Sequence, residues 1–250
     1  MTESARVERE REFHNSLVAD GSPTIATREW WQSPGGLVRF RRRIEMLQAE
    51  LRRYDDPPRV LVVGCGDGEW VNEISRFADV VGIDISDRII IRATRELREP
   101  KRASVEVGDA HNLRFADGTF DVCFANSTLH HLDLSTALPE IHRVLRPGGC
   151  LIAGEPNRSN PLVRLMYSSP KRRTKHGLTP DEQAFTRQAI AHQLSKWFSD
   201  IEVKYFDFWH PALGAIGIPS LRYRIALSFE RIPLIKRLSG SLWIVSRRNG

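Results

Sequence analysis

Cysteine is scarce in this 250-residue chain, at three residues, methionine is equally rare, at three, and tyrosine nearly so, at four. Cys65, Cys123 and Cys150 each lie in or beside an apolar run. Neither a disulfide framework nor a cysteine metal centre has the right spacing here, so they are expected to be small buried core residues of a reduced compartment. No stretch reaches about 18 uncharged apolar residues, which argues against a spanning helix. The opening residues, Met1 to Glu10, are charged throughout and lack the apolar centre of a signal peptide, so a cytoplasmic location is expected. Internal repeats and low-complexity tracts are absent as well. What is present in quantity is apolar residue, 41% of the chain, ordinary for a globular protein and too much for a disordered one. The length suits one α/β domain carrying additions.

Acidic residues fall short of basic ones, 31 against 37, giving a net charge of +6. Such a balance suits nucleic acid, anionic lipid or an acidic substrate, and equally a solvated basic surface. The local runs Arg39–Arg43, Lys171–Arg173 and Arg247–Arg248 are scattered, so charge alone decides nothing.

The middle of the chain alternates short apolar strands with helical periods. Strands are expected at Arg59–Val63, Val80–Asp84, Ser104–Gly108, Phe120–Ala125 and Cys150–Gly154, with helices at 69–77, 87–98 and 134–145 between them. Pro147-Gly148-Gly149 stops the last of these helices. Strands apolar on both faces with helices between them imply a Rossmann-like, doubly wound α/β sheet, mostly parallel with an antiparallel last strand. Ligands on such sheets sit at the carboxyl ends of the strands. Before this core, Leu37, Phe40, Ile44, Leu47, Leu51 and Tyr54 follow steps of three and four, the stripe of a packed helix. After it, Thr179-Pro-Asp-Glu182 reads as a capping box opening a helix to about Phe198, followed by strands at 201–208 and 241–246. The organisation expected is an N-terminal helical lid or cap over residues 1–56 and a domain over 57–250, with insertions at about 157–178 and 209–240.

Gly64-Cys65-Gly66-Asp67-Gly68 lies between a strand and a helix, and Asp84 ends the next strand 20 residues after Gly64. Glycines there permit a tight turn and close approach of a ligand to backbone, and an acid at this spacing accepts both hydroxyls of a ribose. A pyrophosphate-binding loop would want glycine or alanine where Glu69 stands, and Asp67 adds a second carboxylate. Two like unit charges at about 4 Å repel by roughly 4 kcal/mol at an effective dielectric of 20. The same acids are compatible with the ammonium and sulfonium of S-adenosylmethionine, which the charge argument favours over NAD.

Val60 to Gly68 resembles motif I of the class I S-adenosylmethionine-dependent methyltransferases. Asp84, Gly108-Asp109-Ala110, Phe120-Asp121, Leu129-His-His-Leu132 and Arg143 to Gly149 follow in that family's order and spacing. The resemblance covers Arg59 to Pro156 well and the terminal elements more loosely. It implies that Gly64, Cys65 and Gly66 line the methionine and ribose part of the cofactor. Asp84 then holds the ribose hydroxyls, Ile85 flanks the adenine, and Asp109 with Ala110 meets the adenine amino group. Asn126 and Ser127 face the sulfonium end. The alternatives are a turn acid for Asp109 and a strand-end residue bonding its own loop for Asn126. His131 is a candidate general base or cofactor contact, against the alternative of a packed imidazole. His14, in Phe13-His14-Asn15, is a second catalytic candidate on a segment that, with Trp30-Trp31, is expected to close over the cofactor.

No metal is expected. The acceptor expected is a small molecule, apolar or acidic, of small-molecule or secondary metabolism, methylated at O or N with release of S-adenosylhomocysteine. Residues 206–238 are rich in aromatic and branched side chains with arginines interspersed, which suits a substrate pocket, a subunit interface or peripheral membrane contact; a monomer or a homodimer is expected. An RNA or protein methyltransferase is the second reading, although no recognisable RNA-binding module is appended and no nucleic acid is expected as partner. A cofactor-binding member that does not methylate is the third.

Overall fold

The computed structural model describes residues 3–18, 34–99, 101–175, 178–179, 182–208 and 219–249. Trp30-Trp31, residues 209–218 of the second expected insertion, and Pro180-Asp181 of the expected capping box lie outside them. The elements run α1 (Glu3–Val18), α2 (Pro34–Leu51), β1 (Arg59–Val63), α3 (Glu69–Ile74), β2 (Asp79–Asp84), α4 (Asp87–Glu96), β3 (Ala103–Val107), β4 (Phe120–Asn126), α5 (Leu134–Val144), β5 (Leu145–Pro156), α6 (Pro161–Met166), α7 (Pro170–Lys175), α8 (Arg187–Leu194), β6 (Phe198–Phe206), α9 (Pro219–Arg231) and β7 (Ser241–Arg248).

The strands form one seven-stranded sheet in the order β3-β2-β1-β4-β5-β7-β6, in which β7 alone runs antiparallel to its two neighbours. Alternation along each strand divides the core into two layers. Val60, Val62, Val122, Phe124, Ile152 and Trp243 face Leu47 and Leu51 of α2 and Val71 and Ile74 of α3. Leu61, Val63, Cys123, Ala125, Leu151 and Ile244 face Leu138 and Ile141 of α5 and Ile190 and Leu194 of α8. Both faces are covered, which is why these strands read as unbroken apolar runs. The order reverses direction between β1 and β4, and the crevice outside their carboxyl ends is the binding position of such folds. All three cysteines are buried free thiols, and no described helix is long and apolar enough to cross a membrane.

The sequence reading is corrected at two places. Val144 ends α5 and β5 begins at Leu145, because Gly148, at φ 75°, lets the chain reverse inside Arg146–Gly149 and pair at once with β4. The helix expected from Thr179 starts only at Arg187, capped by Thr186. One half of the capping box does form, since Glu182 Oε1 accepts the Thr179 N–H at 2.6 Å. The Thr179 hydroxyl instead donates to Glu10 Oε1 at 2.6 Å, so both residues are spent on the site described below.

An ionic latch joins α2 to the far edge of the sheet and to α9. Asp207 Oδ2 lies 2.5 Å from Arg43 Nη2 and 3.1 Å from Arg39 Nε, and Arg42 pairs with Glu230 at 2.5 Å. Burial pushes the Arg43 guanidinium down to about 10 despite the charge of Asp207. Asp207 has φ 59°, a region asparagine also tolerates, so Asp207→Asn removes the charge without changing the backbone demand. It is expected to cost about 3–5 kcal/mol, the range for breaking a buried ion pair. At ~2–4 °C per kcal/mol for a chain of this size, calorimetry should show a fall of roughly 6–20 °C.

Candidate functional site

Gly64 and Gly66 both take left-handed backbone, at φ 67° and 55°. A side chain on Gly64 would also place its Cβ 2.4 Å from Thr128 Oγ1, a hydroxyl that donates to the Val63 carbonyl. The end of β1 and the turn after β4 are therefore in direct contact, and only glycine fits between them. Asp84 fastens the loop from the other side. Its Oδ2 accepts the Gly66 N–H at 3.1 Å, and its Oδ1 accepts the Ser86 N–H at 3.0 Å. Ser86 in turn caps α4 by accepting from Ile89 N, and its hydroxyl donates to Asn15 of α1.

Asp109 Oδ1 accepts the backbone N–H of His111 at 2.9 Å and its Nδ1–H at 2.6 Å. His111 Nε2 accepts from Asp133 N, which fixes the proton on Nδ1. Burial alone would raise the Asp109 carboxyl, but these hydrogen bonds outweigh it and hold the group below its ordinary value. The turn-acid reading of Asp109 thus describes one oxygen, and the residue still lines the cavity. Asn126 Oδ1 is buried without a hydrogen-bond partner, and a Cβ on Gly154 would approach it to 2.7 Å. Ser127 follows at φ 55°, an uncommon conformation of the kind that gathers at functional sites.

The turn after β4 is pinned by Glu155 at the end of β5. Its Oε1 accepts the N–H groups of Thr128 and Leu129, and its Oε2 lies 2.6 Å from His130 Nδ1. Neighbouring His131 places Nδ1 at 3.1 Å from Glu10 Oε2 and 3.5 Å from Glu182 Oε1. Burial opposes a charge on His131, but the Glu10 hydrogen bond and the charges of Glu182, Glu10 and Glu155 together lift its pKa above the ordinary 6.5. Glu10 shifts the opposite way. Burial would raise it, and the His131 and Thr179 hydrogen bonds together with the imidazole charges take it below its usual value. His14 Nε2 sits 3.7 Å from Glu10 Oε2, and burial, then the charge of His131, lower its pKa. The ligand atoms of Glu10, His14 and His131 lie within 4.8 Å of one another, as do those of His130, His131 and Glu182.

Helix α1 closes this arrangement. Arg6 Nη2 donates to the carbonyls of His131 and Leu132, and Phe13 and His14 face the interior. The cavity measures about 380 Å³. Gly64, Cys65, Gly66, Asp84, Ile85, Asp109, Ala110, Asn126, Ser127, His131 and His14, the residues expected from sequence, all line it. Sequence reasoning missed Glu10, Glu155, Glu182 and Thr128. Glu182 was visible only as the acid of a capping box, and Glu10 is one charge in an alternating run. The donor set fits a nucleoside with a cationic tail: a left-handed glycine loop open to close approach, Asp84 oxygens at the cavity wall, and an unpartnered buried Asn126 oxygen.

Residues 61–153 match the family model for a methyltransferase domain. It is 41% identical over 97 residues to a sterol 24-C-methyltransferase of Aspergillus fumigatus, covering 36% of this chain and 26% of that one. It is 37% identical over 103 residues to 27-O-demethylrifamycin SV methyltransferase of Amycolatopsis mediterranei, with 39% and 38% covered. A demethylmenaquinone methyltransferase of Lactococcus lactis is 28% identical over 157 residues, with 59% and 58% covered. The matches thus span about a quarter to three-fifths of these relatives' own length. Among solved structures, a S-adenosylmethionine-dependent methyltransferase of Thermotoga maritima described as a possible histamine N-methyltransferase superposes with a TM-score of 0.67 at 18% identity, covering 95% of this chain and 99% of that one. A phosphoethanolamine N-methyltransferase of Haemonchus contortus gives 0.66 at 18% identity, with 96% and 60% covered. These structures share the fold.

Proposed function

We propose that the chain transfers a methyl group from S-adenosylmethionine to the O or N of a small-molecule acceptor in the cytoplasm, releasing S-adenosylhomocysteine. The observation that carries this reading is the meeting, in one cavity, of the glycine loop and Asp84 with a hydrogen-bonded His131–Glu10 pair beneath α1. The Gly64–Gly66 loop, Asp84, Ile85, Asp109, Ala110, Asn126 and Ser127 would hold the cofactor, which when bound supplies an electrophilic methyl on a sulfonium. Alignment of the acceptor with that methyl provides most of the rate. Helix α1 acts as the cap and excludes water, whereas α2 of the expected 1–56 cap packs into the core of the domain. Glu10 occupies Nδ1 of His131, leaving Nε2 to accept the acceptor's proton. His14 stands as a second candidate base beside the same carboxylate. The relatives include enzymes named for small-molecule acceptors, a rifamycin and a menaquinone precursor, which supports a small-molecule acceptor and a place in small-molecule or secondary metabolism. The methyl group is already activated by the sulfonium, so the reading includes no metal.

The test uses cofactor carrying a deuterated methyl group, incubated with the protein and fractionated cell extract with and without chelator. Label should appear in small-molecule or lipid products and survive the chelator. Label confined to RNA or protein, or none alongside confirmed cofactor binding, would overturn the reading.

A further inference from the structure

We infer that the face formed by α6, α7, the end of α9 and the 3-10 turn Ile235–Leu238 docks on an anionic lipid bilayer. Leu162 and Leu165 lie three apart on α6, on one side of that helix, and are 47% and 50% exposed. Leu234 and Leu238 are 76% and 42% exposed. The two groups are neighbours, since Asn160 Nδ2 donates to the Leu238 carbonyl at 2.6 Å and Asn157 Nδ2 to those of Arg237 and Ser239. Side chains of this size left in water side by side mark an interaction surface.

The charge around them is of one sign. Residues 157–175 contain six basic and no acidic residues, and 219–240 contain five basic residues and one acid, Glu230. That acid is turned away from the face, paired with Arg42. With a net charge of +6 for the whole chain, these two segments carry more than all of the positive excess, and the remainder is net acidic. Arg158, Arg164, Lys171, Arg172, Arg231 and Arg237 are exposed among the leucines. A protein interface is depleted of charge at its centre, and most contacts to nucleic acid are polar ones to its phosphates and sugars. Leucines set among lysine and arginine are what an interfacial segment presents to a bilayer, the apolar tips entering it and the cations meeting its phosphates.

The same segments reach the cavity from behind. Arg173 of α7 donates to the carbonyls of Thr179 and Glu182, the Leu178 N–H returns to the Arg173 carbonyl, and Leu178 and Glu182 line the cavity. A bilayer on this face would lie behind the Leu178–Glu182 wall of the cavity. This goes beyond the methyl-transfer reading and does not depend on it.

Flotation of the full chain with vesicles tests the inference, using phosphatidylcholine alone and phosphatidylcholine enriched in phosphatidylglycerol. Binding is expected to the enriched vesicles only and to weaken with salt. The pair Leu162→Glu and Leu165→Glu should abolish it, and Lys171→Glu with Arg172→Glu should weaken it by roughly five-fold or more for each residue. All four side chains are exposed, so the melting temperature should hold. Equal binding to neutral vesicles, no binding to either, or wild-type flotation of both variants would overturn the inference. So would light scattering that shows a dimer dissolved by the leucine substitutions, which would assign the face to self-association. Cofactor titration of the same preparations reports separately on the active site.

Discussion

Asp84→Ala is expected to weaken S-adenosylmethionine binding by roughly 10²–10⁴-fold. A carboxylate accepting from two ribose hydroxyls makes two charge-assisted hydrogen bonds, each contributing about 1.5–3 kcal/mol. The loss is therefore about 3–6 kcal/mol. The structure adds a second consequence, because the same two oxygens accept from Gly66 N and Ser86 N. Alanine releases the loop as well as the ribose, so the melting temperature should fall by a few degrees. Asp84→Asn keeps a carbonyl oxygen for only one of the two N–H groups and turns an amide N–H toward the other, so it should melt between wild type and Asp84→Ala and still bind poorly. Calorimetric titration and thermal melts on the three proteins decide the matter. Affinity of Asp84→Ala within a few-fold of wild type would remove Asp84 from the cofactor site and with it the assignment of the cavity.

What was legible in the sequence is what local chemistry writes there. Three of the parallel strands announce themselves because both faces of Val60–Val63, Val122–Ala125 and Cys150–Ala153 are buried, leaving no polar alternation to blur the run. Gly64 and Asp84 stand out because left-handed backbone and a strand-end acid recur at fixed spacing. The acids Glu10, Glu155 and Glu182 were not legible. Their meaning comes from tertiary contacts over 25 to 169 residues of separation. Glu10 sits in Glu8-Arg-Glu-Arg-Glu12, a pattern that an exposed helix shows for solubility alone. Thr179–Glu182 misled for a related reason: the capping-box residues were present and their bond formed, but the hydroxyl was drawn to α1. A local motif competes with every partner the fold brings near, and here a buried carboxylate won.

His131→Ala is expected to lower kcat by roughly 10²–10⁴-fold, the usual contribution of a positioned base, while cofactor affinity changes little. The pH dependence identifies the cause. Glu10 and Glu182 raise the His131 pKa above 6.5, and the base is the neutral form. Turnover should therefore be low at acid pH and rise as pH climbs through that raised value. Glu10→Gln removes one of the charges responsible, so the acid limb should move to lower pH, with a loss of about ten-fold at the plateau from a poorly oriented ring. Stability runs the other way. A group whose folded pKa is raised contributes stability below its unfolded value, and that contribution is lost as pH rises through the folded one. The wild-type melting temperature should thus decline across the same window in which activity appears, and Glu10→Gln should flatten the decline. If the ring were only packing, both substitutions would lower the melting temperature and leave the acid limb of kcat/KM unmoved. Because Glu10 stands on α1 and His131 on the turn after β4, a shifted limb would also mean that the base is assembled only when the helix is seated, so that the lid and the proton acceptor are one device.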